Sequence, residues 1–268
     1  MPVISIITPV HAATATFLGE AYHSLAVQQL PPDWKMEWLV QADGPVDLKY
    51  LPDEPWISTD TGRPGGAARA RTLALARATG VLLRQLDADD LLPDPLALSR
   101  DIHTLINNPT IAWVVSPCLD LLADGSTAPG PYDPAPGLIP PRTLLEGLLA
   151  ERFPVMGTTV TLYTELARAL GAWPALPYGQ DVALCLNAEA VSAGWMQEQP
   201  GELYRQHPGQ ATLLRPAEER WIGLKALADQ AQALHRTGWA YHPPVEDLHE
   251  DPGHGWDEDW LRYPPIAS

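Results

Sequence analysis

The chain has 268 residues, enough to bury a full core as one α/β domain or as one with an appended subdomain. Its net charge of −16 excludes a general nucleic-acid binder, which needs a basic face. A composition of 46% hydrophobic and 19% charged residues excludes a disordered chain. No apolar run approaches the roughly 18 residues of a membrane span, and the N-terminus lacks a charged-then-apolar leader, so a cytoplasmic protein is expected.

The first ten residues are a β-branched run stopped at Thr8-Pro9, which predicts a fully buried strand. Residues 17–29 place Phe17, Tyr22 (or Ala21), Leu25 and Ala26 on roughly one helical face, with Thr14 or Thr16 available as cap. A second strand over 38–44 ends at Asp43-Gly44, and a proline-rich loop leads to a short strand at 56–59. A glycine-rich entry, Gly65-Gly66, opens an alanine-rich helix to residue 78. The strand that follows, from Val81 to Leu86, ends in Asp87-Ala88-Asp89-Asp90. Asp94-Pro95 starts a helix to about residue 107, and 111–115 is another strand. Residues 124–141 read as loop, 142–150 as a short helix, 155–163 as a Thr-rich strand, and 164–170 as a helix stopped by Gly171. Residues 216–236 form a helix with Trp221, Leu224, Ala228, Ala231 and Leu234 on one core-facing stripe. The tail from Trp239 carries seven acids between Glu246 and Asp259, with Trp256, Trp260 and Tyr263 fit to dock on the domain or on a partner. Cys118 and Cys185 sit in apolar contexts and are expected to be buried free thiols.

Alternating strands and helices predict a parallel sheet with helices on both faces. Ligands of such sheets bind beyond the C-terminal strand ends. Thr8-Pro9, Asp43 and Asp87 all end strands, so one crevice should gather them. Carboxylates are almost never fully buried unless paired or holding a cation. Three of them within four residues at a strand end therefore fit a cation shared with a phosphate, or a solvated turn before the next helix.

Several short motifs occur in a fixed order. They are Ser5-Ile6-Ile7-Thr8-Pro9-Val10, Asp43-Gly44, the helix from Gly66 to Arg71, Ala78-Thr79-Gly80 and Leu86-Asp87-Ala88-Asp89-Asp90. Further on come Gly171-Ala172-Trp173-Pro174, Tyr178-Gly179-Gln180-Asp181 and Tyr204-Arg205-Gln206-His207-Pro208-Gly209. In this order the chain resembles the family 2 glycosyltransferases, inverting enzymes of the GT-A fold, over about residues 3–215. The resemblance implies an α/β, Rossmann-like, mixed but mainly parallel sheet flanked by helices, with a C-terminal helical extension. It divides the chain into a catalytic domain at 1–215, made of a nucleotide-binding half (1–107) and an acceptor-side half (108–215), followed by a C-terminal helix and acidic tail at 216–268.

The implied reaction is metal-dependent, inverting, non-processive transfer of a sugar from a nucleoside diphosphate sugar, a UDP-sugar being favoured, to a small-molecule or glycan acceptor. Asp87 falls to the nucleoside ribose. Asp89 and His207 fall to Mn²⁺ or Mg²⁺, and Asp181 is the base that takes the acceptor proton. Thr8, Pro9, Val10, Asp43, Gly66, Arg71 and Ala88 complete the nucleotide site. From the residues alone, Asp181 reads first as a first-turn acid favoured by the helix dipole and His207 as a loop histidine, while Asp43 is equally a turn residue. Arg69 and Arg71 lie two apart on a helix, so at most one should reach a ligand. The chain departs from the family pattern at His11 (often aromatic), Thr72 (Asn) and Gln180 (an acid), which bears on base and sugar selectivity. At the glutamine of the processive synthases' Gln-x-x-Arg-Trp element stands Ala217. Two alternatives are a noncatalytic nucleotide-sugar binder and an Asp-x-Asp phosphohydrolase, although the latter needs a late lysine and the chain has lysine only at 35, 49 and 225.

Overall fold

The computed structural model describes residues 1–130, 132–176, 179–210 and 217–244, the stretch 217–222 by its backbone alone. The acidic tail, the Pro177-Tyr178 pair and the Trp221 side chain lie outside the described residues.

The buried β-branched run forms β1 (Val3–Val10) at the centre of the main sheet. It pairs in parallel with β2 (Lys35–Asp43) on one side and β4 (Leu82–Gln85) on the other. β3 (Ile57–Gly62) extends the parallel set beyond β2. The other half of the sheet holds β5 (Ile111–Val115), β8 (Gly137–Leu138), β9 (Thr161–Tyr163) and β10 (Ala193–Met196), giving the order β3-β2-β1-β4-β9-β5-β10-β8. The sheet is mixed, since β9 runs antiparallel to both β4 and β5, and β8 runs antiparallel to β10. A small second sheet, β11-β6-β7, joins β6 (Cys118–Leu121), β7 (Thr127–Pro129) and β11 (Glu202–Arg205).

Helices flank this sheet. α1 (Leu18–Ala26) follows a 3-10 turn at Ala15–Phe17, so the helix expected from residue 17 starts one turn tighter and ends earlier. α2 (Ala67–Leu75) packs across β1 and β2, and α3 (Ala97–Asn107) lies against β5. In α3, Leu98, Ile102 and Leu105 fall one turn apart and are fully buried. α4 (Thr143–Leu149), α5 (Thr164–Ala169) and α6 (Gln180–Val191) follow, and α7 (Ala217–Arg236) packs on α6 and α4 through Leu227, Ala228 and Ala231. No helix among the described residues is long and apolar enough to cross a membrane. Both cysteines are free and buried, as expected.

Two expectations need correction. The strand read over 155–163 is strand only from Thr161. Residues Gly157–Thr159 turn as a 3-10 helix because the Thr159 hydroxyl donates back to the Met156 carbonyl (2.8 Å), offering the backbone an alternative to the ladder. The stretch 124–141 is not all loop, since it contributes β7 and β8.

Candidate functional site

The β1–β4 ladder ends at Ile7 opposite Gln85, and the Leu86 N–H continues it by donating to the Ile7 carbonyl at 3.1 Å. That register sets Asp87 beside Thr8-Pro9. The β1–β2 ladder runs to Val10 opposite Ala42, so Asp43 ends the next strand at the same edge. A turn closed by the Asp90 N–H on the Asp87 carbonyl (3.1 Å) then leaves Asp87 and Asp89 half-buried and Asp90 buried. The strand ends thus gather around one cavity of about 310 Å³, lined by Pro9, Val10, Asp43, Gly66 and the segment Asp87 to Asp90. Tyr204, Gly209 and Gln210 close its far side.

Thr8 and Arg71 are near the cavity without lining it. The buried Thr8 hydroxyl accepts the Trp38 indole N–H at 2.8 Å. The Arg71 guanidinium is turned inward and donates to Asp87 Oδ1 at 2.5 Å, with only 4% of its side chain exposed. Of the two helix arginines, the structure buries this one on the strand-end acid. Arg69 instead donates to the Arg63 carbonyl at the exposed entry to α2. Asp43 accepts the Gly65 and Gly66 N–H groups, one on each oxygen, at 2.7 and 2.9 Å. Gly66 has φ 86° and ψ 169°, a conformation open almost only to glycine, and the Asp43 clasp holds the start of α2 there.

Asp89 and His207 meet across the cavity mouth, with His207 Nε2 at 2.9 Å from Asp89 Oδ2 and both side chains about one-fifth exposed or less. His207 Nδ1 accepts the Gly209 N–H at 3.3 Å, so the neutral ring carries its proton on Nε2, toward the carboxylate. Among the described residues no group of three or more His, Cys, Asp or Glu side chains is disposed to hold a metal. A cation here would take the place of the Nε2 proton between His207 and Asp89, with both side chains as protein donors. Mg²⁺ and Mn²⁺ sites with few protein ligands are completed by substrate phosphate and water, and a carboxylate with an imidazole suits Mn²⁺. The donor set fits.

Asp181 sits in the first turn of α6. Burial raises its pKa, the Arg71 charge opposes that rise and Asp87 adds to it. Gly157 lies directly against its carboxylate, since a Cβ at 157 would stand 2.7 Å from Asp181 Oδ2. Gln85, fully buried, fixes this wall from behind. Its amide donates to the Gly157 carbonyl at 3.1 Å and accepts the Trp173 indole N–H at 2.8 Å. Beside Gln180 lies a second cavity of about 620 Å³ between α2 and Trp173 to Leu176, and it shares Gly66 with the first.

Sequence reasoning missed the layer beneath these acids. Arg84, in the middle of β4 and 1% exposed, donates to Asp101, to the Thr159 carbonyl and to the Gly201 carbonyl. Glu202 lies 3.7 Å from the same guanidinium and accepts the Thr158 hydroxyl. Burial pushes the Glu202 carboxyl up to about 7, while Arg84 and Thr158 work against the rise. Asp90 is 1% exposed and is pushed well above the usual carboxylate range by burial and then by Glu202, Asp89 and Asp87. One oxygen of each, Asp90 Oδ2 and Glu202 Oε2, is buried without a hydrogen bond among the described residues. The signal available for Arg84 was a cation inside an apolar strand, which must find buried acids.

No family model matches the chain, and no curated protein matches it. Solved structures do. Residues 1–349 of TarS from Staphylococcus aureus, in complex with UDP-GlcNAc, align with a TM-score of 0.66 at 18% identity, covering 86% of this chain and 66% of that one. Longer TarS aligns at 0.60 and 19%, covering 88% of this chain and 43% of that one. The mannosyltransferase PcManGT from Pyrobaculum calidifontis, in complex with GDP-Man and Mn²⁺, aligns at 0.52 and 19%, covering 90% and 66%. The chain therefore spans just under two thirds of the length of these structures, or less. At such identity the likeness is one of fold. That fold, a mixed and mainly parallel sheet flanked by helices, is the GT-A fold of glycosyltransferases.

Proposed function

We propose that this chain is a metal-dependent, inverting glycosyltransferase of the family 2 type. It moves one sugar at a time from a nucleoside diphosphate sugar to an acceptor hydroxyl. The observation that carries the reading is the meeting of Asp43, Asp87 and Asp89 at one set of strand ends, with His207 against Asp89 and Asp181 close enough to feel the charges of Asp87 and Arg71. A UDP-sugar is the favoured donor, its base toward Pro9, Val10 and Asp43 and its diphosphate toward Asp89.

Each residue has a definable task. Arg71 holds Asp87 rigid for the ribose hydroxyls. Asp89 and His207 hold Mn²⁺ or Mg²⁺, which as a Lewis acid stabilises the charge of the departing diphosphate. The 620 Å³ cavity beside Gln180 seats the acceptor. Asp181 takes the acceptor proton on the face opposite the leaving group, so the anomeric configuration inverts. Burial raises its pKa, which makes it a better proton acceptor, and the Arg71 charge opposes that rise.

An Asp-x-Asp phosphohydrolase fits less well. All three lysines are on the surface, with Lys49 and Lys225 side chains 64% and 76% exposed, and none lines the cavity. The test of the proposal is Asp181→Asn, which keeps shape and removes the acceptor of the proton. Transfer should fall about 10²–10⁴-fold with nucleotide binding nearly intact. The unaltered protein's product should be inverted by NMR. Near-normal turnover by the variant, or a retained product, overturns the mechanism.

A further inference from the structure

His207 can serve a cation only if its ring is held at the Asp89 carboxylate. Its support comes from the start of α1, which precedes it by nearly two hundred positions. The Phe17 ring centroid lies 5.2 Å from that of His207, tilted by 51°. The same ring lies 4.8 Å from the guanidinium carbon of Arg205. Arg205 ends β11 and His207 follows two residues later, and both side chains rest on Phe17. Arg205 is itself pinned three ways. Its Nε donates to the Asp89 carbonyl at 2.8 Å, its Nη2 to Glu20 Oε2 at 2.8 Å, and its backbone N–H to Asp90 Oδ1 at 2.9 Å. Gln210 returns a bond to the Arg205 carbonyl at 2.9 Å and closes the loop over His207.

Phe17 was expected to share a helical face with Tyr22, Leu25 and Ala26, and among the described residues it is not part of the hydrophobic core. An aromatic face against a guanidinium and an imidazole is favourable where an aliphatic side chain is only filler. The segment that supplies it also supplies His11 and Thr14 to the nucleotide cavity.

We propose that Phe17 and Glu20, acting through Arg205, are positioning residues that hold His207 at Asp89, so that the entry to α1 supports the cation ligand and borders the nucleoside seat at once. The inference rests on the reading of Asp89 and His207 as cation ligands. Residues behind a metal ligand typically change metal affinity about 10–100-fold when altered. An ion pair as exposed as Glu20 with Arg205 contributes less, at most about fivefold.

The experiment is titration of Mn²⁺ at saturating UDP, read by the electron paramagnetic resonance of free Mn²⁺. Uridine affinity serves as the control that reads the nucleoside seat without phosphate. Phe17→Leu should weaken Mn²⁺ binding about 10–100-fold with uridine affinity unchanged. Phe17→Tyr, which restores the aromatic face, should keep it near that of the unaltered protein. Glu20→Gln should weaken it by no more than about fivefold. Undiminished Mn²⁺ binding by Phe17→Leu, or equal loss in the leucine and tyrosine variants, overturns the inference, since the ring would then be mere bulk. If His207→Ala binds Mn²⁺ as tightly as the unaltered protein, the cation reading itself fails and takes this inference with it. A site sensitive to His207 but indifferent to Phe17 refutes this inference alone.

Discussion

Gly157→Ala is the sharpest perturbation available at the candidate base. An added Cβ would stand 2.7 Å from Asp181 Oδ2 and 3.0 Å from both the Cβ and the carbonyl carbon of Asp181, where ordinary contact begins at 3.4 Å. The clash is not with the end of a flexible side chain, because two of the three atoms belong to the start of α6. Nor can residue 157 retreat easily, since its carbonyl is held by Gln85 from one side and faces Cys185 Sγ on the other. The helix start and its carboxylate must therefore move, by roughly 0.4–0.7 Å if contact is to become ordinary. Overpacking of this kind costs about 1–3 kcal/mol, and on a domain of this size that lowers Tm by about 2–12 °C. A reacting group misplaced by about 1 Å can cost 10²-fold in rate, so kcat for transfer should fall by about 10–100-fold. UDP affinity, read in the presence of Mn²⁺, should stay close to that of the unaltered protein, because the nucleotide cavity does not include Gly157. The assay pairs kcat at saturating donor and acceptor with a UDP titration and a thermal scan. Full kcat in a protein whose Tm has dropped would show that the position of the Asp181 carboxylate does not matter to the chemistry, and Asp181 would then be a helix-start acid only.

Other outcomes are as definite. Asp89→Asn, and separately excess chelator, should each remove most transfer without unfolding the protein and weaken UDP while leaving uridine binding unchanged; undiminished transfer in chelator sinks the metal-dependent mechanism. Burial pushes the Glu202 carboxyl from 4.5 up to about 7, so in that window the folded protein holds a proton that the unfolded chain releases. Stability should therefore decline as pH rises from about 4.5 to 7, by at most about 1.4 kcal/mol per unit from this group. Glu202→Gln should flatten that decline in urea midpoints, and an unchanged pH slope would refute the assignment. Removing the residues after Pro244 should alter stability or association more than nucleotide affinity, as seven acids there would repel a diphosphate; a folded truncation that had lost nucleotide binding would contradict this.

What the sequence disclosed and what it hid differ in range along the chain. β5 is a continuous apolar run, β1 is rich in β-branched residues, β4 opens on Leu82-Leu83, and α3 has an apolar stripe with an Asp-Pro start, so local pattern was enough. The convergence of Thr8-Pro9, Asp43 and Asp87 followed from strand ends in a parallel sheet. The short strands β6, β8, β10 and β11 are only two to four residues long, and their partners are remote, as with Glu202 opposite Cys118. Nothing local marks such strands. Arg84 shows the same limit at the level of a side chain, because its partners lie 17, 75 and 117 positions away. The spacing of Arg69 and Arg71 did separate the two by face. It could not tell that the inward arginine would be occupied by Asp87 rather than by a ligand.

The distribution of charge then decides what kind of ligand chemistry the cavity can support. Arg71, Arg84 and Arg205 are 4%, 1% and 16% exposed in their side chains, and each guanidinium is committed to carboxylates or carbonyls of the protein itself. The cavity wall carries Asp43, Asp87, Asp89 and Asp90 but no lysine or arginine among the described residues. Asp43 is partly neutralised by two amide N–H groups and Asp87 by Arg71, whereas Asp90 is driven toward its neutral form by burial and its acidic neighbours. That leaves Asp89, whose side chain meets the His207 ring at 2.9 Å. A diphosphate brought beside that carboxylate alone would be repelled by about 4 kcal/mol at 4 Å for an effective dielectric of 20. A divalent cation reverses the sign of that contact, since it is attracted to the carboxylate and to the phosphates alike. Arginines of the kind that cradle phosphates here hold the protein's own acids in place. On the proposed reading, a cation between Asp89 and the diphosphate supplies the positive charge that these arginines do not.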